Sequence, residues 1–142
     1  MKMKFNLMLL LLGVSFIFLW GCKKPENDKK VTMIVSHTSF VKPIVLTGFF
    51  TAKGALNTSG SSLMDVHPAG DSIHCTQTMT TSEGSFTMQQ DCSNRTMSGS
   101  WNIISGTGHY EHLQGKGTLS MVKSTDPSSG VLGVDTLTGE IW

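Results

Sequence analysis

Residues 105–119 read SGTGHYEHLQGKGTL, with four glycines arranged as two Gly-x-Gly pairs around the polar segment HYEHLQ. A dinucleotide-binding fingerprint would need a third glycine at position 111 and a long helix after it. A phosphate-binding P-loop would need Gly-Lys-Ser/Thr at the start of a helix, whereas residues 115–118, GKGT, begin a predicted strand. We therefore interpret the glycines as positions of positive φ or close backbone approach between two strands.

Short β-strands are predicted on both sides of this connection, because turn signals recur every 8–15 residues after residue 30. The predicted strands are Val31–His37, Ile44–Lys53, Ser61–Val66, Ile73–Thr81, Ser85–Asp91, Thr96–Ile104, Gly117–Lys123 and Val131–Trp142. Eight short antiparallel strands predict an all-β domain, either a closed barrel or a sandwich. A strand at the end of the chain favours the eight-stranded barrel, because closure removes an open edge.

The first 21 residues have the pattern of a signal peptide, with a basic start and an apolar run that is short for a membrane-spanning helix. The run ends Leu19-Trp20-Gly21-Cys22, which resembles a lipoprotein signal in which the cysteine is lipidated. An uncleaved N-terminal anchor is the alternative. We expect lipidated Cys22 and a charged tether over residues 22–30, which places the protein in the cell envelope, at the outer membrane of a Gram-negative bacterium.

Residues 31–142 are enough for one domain and too few for two. This segment has five Lys and Arg against eight Asp and Glu, a net charge of 5 − 8 = −3. Nucleic acid is therefore not an expected partner, because nothing in the segment forms a basic patch.

The segments GFFTAKGALNTSG, EGSFTM, GSWNIISGTGHYEHLQGKGTL and LTGEIW occur in this order over residues 48–142. Together they resemble the barrel of the allene oxide cyclase and dirigent-like family. The resemblance implies an eight-stranded antiparallel barrel with an apolar lumen that receives small hydrophobic molecules. It carries no catalytic residue of that family onto this chain.

Six methionines after the signal segment fall on six predicted strands, which indicates either core packing or an adaptable lumen for an apolar ligand. Copper(I) bound by methionine sulfurs is a third interpretation. The lumen is expected to contain Met79, Met88, Met97, Trp101, Tyr110, Gln77 and Gln90. Tyr110 and Leu113, three residues apart, are expected to plug one mouth of the barrel.

A metal site is not expected at the polar loops. His109, Glu111 and His112 offer three donors, but nothing in the sequence brings a fourth ligand to them. The second polar group surrounds a hairpin and is interpreted as solvated turn residues; it contains Asp65, His67, Asp71 and His74. No cofactor is expected.

A disulfide between Cys75 and Cys92 is predicted from the hairpin that joins their strands. If Glu83-Gly84 is a two-residue loop, paired positions sum to 167 and the two cysteines face each other. A bulged loop would shift the sum to 166 and place Cys75 opposite Asp91. Free or metal-bound thiols are the other alternative.

We therefore expect a lipid-anchored envelope protein that binds a small apolar ligand or a protein partner through its barrel. One alternative is an isomerase or cyclase acting on an apolar substrate, for which Gln77, Gln90 and Tyr110 are the inward polar groups. The other is an enzyme inhibitor that acts through the loop GHYEHLQG.

Overall fold

The computed structural model of the protein describes residues 26–142. The predicted signal peptide and the lipidation site at Cys22 lie outside the described residues. Residues Glu26–Lys29, at the end of the predicted tether, form one turn of 3-10 helix. Because a 3-10 helix rises only about 2 Å per residue, this turn shortens the reach that an extended tether would have.

Eight antiparallel strands follow, each hydrogen-bonded to its neighbour in sequence, and β1 also pairs with β8. The all-β prediction and the closed eight-stranded barrel are therefore confirmed. The strands are β1 (Lys30–Lys42), β2 (Val45–Gly54), β3 (Thr58–Ala69), β4 (Ser72–Thr81), β5 (Gly84–Ser93), β6 (Ser98–Gly108), β7 (Gly115–Lys123) and β8 (Gly133–Ile141).

Because β1 and β8 are antiparallel neighbours, Lys30 at the start of β1 and Trp142 after the end of β8 lie at the same end of the barrel. We call this the lower end; it also holds the β6–β7 loop of residues 109–114. The opposite, upper end holds the β1–β2, β3–β4, β5–β6 and β7–β8 connections. A tether leading to residue 30 therefore reaches the barrel at its lower end.

Strict alternation of side chains defines the core. In β1, Val31, Met33, Val35 and His37 are buried, whereas the residues between them are exposed or partly exposed. Strands β4 and β5 show the same period of two. Inward side chains from the eight strands therefore meet in the lumen, as closure of a small barrel requires.

Two glycines of the opening stretch have the roles that the sequence predicted. Gly108 has φ of +60°, a left-handed conformation that disfavours side chains. A Cβ atom on Gly106 would lie 1.8 Å from the carbonyl oxygen of Tyr110, so only glycine lets the loop fold back against β6.

The predicted β4–β5 register is wrong by one residue on each strand. The loop is Ser82-Glu83 rather than Glu83-Gly84, and Thr81 pairs with Gly84. The Thr81 hydroxyl accepts a hydrogen bond from the Glu83 amide at 3.0 Å, which stabilises the turn at this position. Gly84 is the first residue of β5. A Cβ atom there would lie 2.2 Å from the Thr107 carbonyl oxygen of β6, so this close approach of the two strands requires glycine.

Met97 was expected on a strand, and this prediction is also wrong. It lies in the β5–β6 turn with φ of +51°, and its amide donates to the Ser93 carbonyl oxygen at 2.9 Å. Strand β6 therefore begins two residues later than the predicted start at Thr96, at Ser98.

Candidate functional site

The lower lumen is closed by aromatic side chains. Phe86 makes edge contacts with Phe50 and Tyr110, at ring-centroid distances of 5.9 and 5.3 Å. The Tyr110 hydroxyl lies 3.1 Å from the Thr81 hydroxyl, so its polar end is satisfied. Leu113 packs against this core from the loop. The structure therefore places Tyr110 and Leu113 together at the lower mouth.

The middle of the lumen contains a chain of amides. Gln90 donates from Nε2 to Oε1 of Gln77, and Gln77 donates from Nε2 to the Ser62 hydroxyl at 2.9 Å. All three side chains are buried. Gln90 Oε1 has no hydrogen-bond partner among residues 26–142. The two glutamines expected in the lumen are therefore brought together by adjacent strands.

The lumen is filled by side chains. Met79, Met88 and Trp101 are at most 1% exposed, so no water-sized space lies beside them in the described barrel. Trp101 also donates from Nε1 to the Thr118 carbonyl oxygen at 3.1 Å. Six of the seven expected lumen residues are buried there, and Met97, in the turn, is the exception.

A histidine–carboxylate pair lies in the upper lumen. His37 Nε2 and Asp135 Oδ2 are 2.7 Å apart, and both side chains are almost completely buried. His37 Nδ1 finds no hydrogen-bond partner within the described chain. Sequence reasoning missed both residues, although each is a polar residue at an inward position of an alternating strand.

Two thiols and a thioether lie in the same upper part of the lumen. Cys75 and Cys92 are buried, and Cys92 Sγ lies 3.7 Å from Met121 Sδ. Burial raises the pKa of the Cys75 thiol to about 12, with further contributions from Cys92 and Asp135. Burial also raises the pKa of the Cys92 thiol to about 11, followed by the effects of Asp135 and Asp91. Both thiols are therefore protonated at neutral pH.

The predicted disulfide is not formed: both cysteines are free within the described part of the chain. Cys75 pairs with Gln90, and Cys92 pairs with Ile73. The register error explains this result, because the two cysteines are diagonal neighbours rather than a directly opposed pair. The two strands are shifted against each other by two residues relative to the predicted register. Because side chains alternate with a period of two, both thiols still point inward.

The lower outer surface has a depression of about 530 Å³ where β6 and β7 separate. Their pairing stops at Asn102 and Lys116, and the loop of residues 109–114 crosses the gap. Glu111, His112 and Trp142 contribute to its wall.

Of the polar residues expected to be solvated around the β3–β4 hairpin, His67, Asp71 and His74 are exposed, whereas Asp65 is half-buried. His74 contacts Asp91 at 2.5 Å, and His67 lies 3.7 Å from Asp65. These pairs lie on the outer face of β3, β4 and β5. Across residues 26–142, no three His, Cys, Asp or Glu side chains converge in a way that would hold a metal ion.

Apolar side chains are exposed on the outer face of β1, β2 and β3. Phe49 is 65% exposed, Leu63 48% and Ile34 45%. Ser36 and Ser61 flank Phe49 directly, and Thr47 is paired with Leu63. The row continues from Ser36 through Val134 to Val122 on β7. We call this set the apolar outer face: Ile34, Ser36, Thr47, Phe49, Ser61, Leu63, Val122 and Val134.

The described chain contains no helix long and apolar enough to cross a membrane. No family model matches the chain, and the searches of curated proteins and of solved structures each found no significant match.

Proposed function

We propose that this protein is a lipid-anchored envelope protein that binds a protein partner through the apolar outer face. The observation that supports this choice over a small-ligand carrier is the filled lumen. An apolar ligand would need to displace the buried side chains of Met79, Met88 and Trp101.

The composition of the face fits a protein partner. Its outward residues are aliphatic, aromatic or hydroxyl-bearing, and none of the eight carries a charge. Charged residues lie at its margin, among them Lys53 on β2 and Asp65 on β3. An uncharged centre with a polar rim is typical of protein–protein interfaces. Contiguous exposed apolar patches mark interaction sites, whereas apolar residues scattered singly over a surface do not.

The anchor leaves this face accessible. The barrel begins at the lower end, so lipid on Cys22 would hold that end toward the membrane. Residues 22–30 span at most about 30 Å when extended. The tether enters the barrel at Lys30, whereas Phe49 at the centre of the face pairs with Ser36, six residues further along β1. Resemblance to the allene oxide cyclase and dirigent-like barrel remains part of this proposal, since it fits the closed fold.

The anchor is tested by Cys22→Ala. The variant should lose incorporation of radioactive palmitate and move from the detergent phase to the aqueous phase. Palmitate labelling that persists in the variant would overturn the lipid anchor, and the partner proposal would then be tested with the unanchored chain.

The partner is tested by cross-linking in intact envelopes with Phe49→Glu and Leu63→Glu. The matched control is Ile104→Glu, because Ile104 is an apolar residue of β6, 52% exposed, outside the apolar outer face. A single cross-linked species should form with the wild type and the control and be lost with both face variants. Retention of the species in the face variants would contradict the proposal.

Two further measurements distinguish the alternatives. If the purified protein forms a dimer or trimer that Phe49→Glu dissociates, the face binds a second copy rather than another protein. If mass spectrometry of protein extracted from its native membrane finds one apolar molecule in stoichiometric amount, the lumen opens and the small-ligand or isomerase function is favoured.

A further inference from the structure

We propose that the upper lumen binds one copper(I) ion through the sulfur atoms of Cys75, Cys92 and Met121. This site is separate from the apolar outer face, and it does not depend on the partner-binding function.

The first observation is the distance between two sulfurs. Cys92 Sγ and Met121 Sδ are 3.7 Å apart. Two sulfur ligands at about 2.3 Å from one metal ion lie roughly 3.8 Å from each other in tetrahedral geometry and roughly 4.0 Å in trigonal geometry. The same distance also fits a weak hydrogen bond from the Cys92 thiol to the Met121 thioether. The two sulfur atoms therefore need to move little when a metal ion replaces the thiol proton.

The second observation is the position of Cys75. Cys92 pairs with Ile73, so Cys75 is the diagonal neighbour of Cys92 on the inner face of the same sheet. Diagonal side chains of adjacent strands are within reach of each other.

The third observation is a buried histidine that is linked to Met121 through Asp135. Met121 pairs directly with Asp135, and the Asp135 carboxylate is bonded to His37. His37 Nδ1 is buried and has no hydrogen-bond partner in the described barrel. A polar atom that is buried in a core without a hydrogen-bond partner lowers the stability of the fold. The nitrogen is therefore a candidate partner for a group bound beside Asp135, the strand neighbour of Met121.

The sulfur cluster lies close to the upper surface of the barrel. Cys92 lines a depression of about 440 Å³ together with Asp71, His74, Asp91 and Arg95. Met121 is only partly buried. Cys92 and Met121 are therefore the proposed ligands closest to solvent, and they lie at the opposite end of the lumen from the aromatic side chains. Asp71 and Asp91 at this depression are already paired with Arg95 and His74, so the sulfur atoms and not these carboxylates are assigned as ligands.

The ligand chemistry selects the ion. Thiolate and thioether sulfurs favour copper(I), whereas magnesium, calcium and manganese favour oxygen ligands. A zinc site of the usual kind needs three or four Cys, His, Asp or Glu ligands, and no such group converges in the described residues. Binding is written as Cu⁺ + 2 RSH → [Cu(SR)₂]⁻ + 2 H⁺, with Met121 as the neutral third ligand. No oxidation or reduction occurs in this step.

The probe is copper(I), supplied anaerobically as its acetonitrile complex, in competition with a chromophoric copper(I) chelator. The full chain, extracted in detergent and titrated for free thiols, should take up one equivalent. Met121→Leu should weaken binding about tenfold or more, and Cys92→Ser should weaken it far more. Met33→Leu is the matched control, since Met33 is an inward methionine of β1 outside the cluster, and it should bind like the wild type.

The pH dependence provides a second readout that does not require a variant. Because two thiol protons leave per ion, affinity should rise about 100-fold per pH unit while both thiols remain protonated. Uptake below 0.1 equivalent by protein with two free thiols would overturn the proposal. So would an affinity independent of pH, or equal losses in Met121→Leu and Met33→Leu.

Discussion

The lower and upper halves of the lumen are built differently. The lower half contains Phe50, Phe86 and Tyr110 in edge contacts, with the one polar atom among them hydrogen-bonded. The upper half contains a buried histidine–carboxylate pair and two thiols, with one histidine nitrogen left without a partner in the described chain. Apolar packing therefore dominates the lower half of the barrel, whereas the upper half buries polar and sulfur-containing groups, and the two halves should respond differently to substitution.

The largest effect is expected in the lower half. Phe86→Ala should lower the free energy of unfolding by about 3–5 kcal/mol, because it removes a fully buried ring and leaves a cavity between two others. Chemical denaturation followed by tryptophan fluorescence measures this change. A decrease in the free energy of unfolding below about 1 kcal/mol would show that the aromatic side chains of the lower half are not the main source of stability.

A smaller effect with a distinct pattern is expected at the upper pair. His37→Leu or Asp135→Leu alone should cost about 3 kcal/mol, because each leaves a buried polar partner unpaired. The double variant should cost less than the sum of the two. A double-mutant cycle measures this coupling, and additive losses would show that the pair does not act as a unit.

The two thiols predict a loss of stability in alkali. Their pKa values are about 12 and 11 in the fold, above the ordinary thiol value of 9.0. The unfolded chain therefore releases these protons first, so stability present below pH 9 should decline progressively between pH 9 and 12. Unfolding measured across this range should show a shallower decline in a Cys75→Ala, Cys92→Ala double variant. An unchanged slope would contradict the assignment.

The smallest effect is expected at the upper surface. Arg95 and Asp71 form an ion pair at 3.0 Å, and both side chains are more than three-quarters exposed. Asp71→Asn should change the free energy of unfolding by less than about 0.5 kcal/mol, because solvent and salt screen such pairs. A larger loss, measured by the same denaturation, would mean that the upper rim supports the barrel.

The alternation of inward and outward residues could be predicted from the sequence, because it depends on each strand alone. The register of β4 and β5 could not, since Gly84 is required by a carbonyl oxygen of Thr107 on the next strand. The His37–Asp135 pair joins residues 98 positions apart, and no local pattern indicates it. Met97 was placed on a strand because residues that tolerate positive φ are usually glycine or asparagine, and methionine gave no such signal.

The closure between β1 and β8 has a consequence for how the chain folds. The other seven strand pairings each join consecutive strands, so they form by local steps with short loops. Only the β1–β8 pairing brings together segments about 100 residues apart, and its loop-closure entropy is the largest. The hairpins should therefore accumulate first, and the rate of the final step should depend on residues along that last pairing. His37 and Asp135 belong to it, so the polar contact of the upper lumen exists only after the ring has closed.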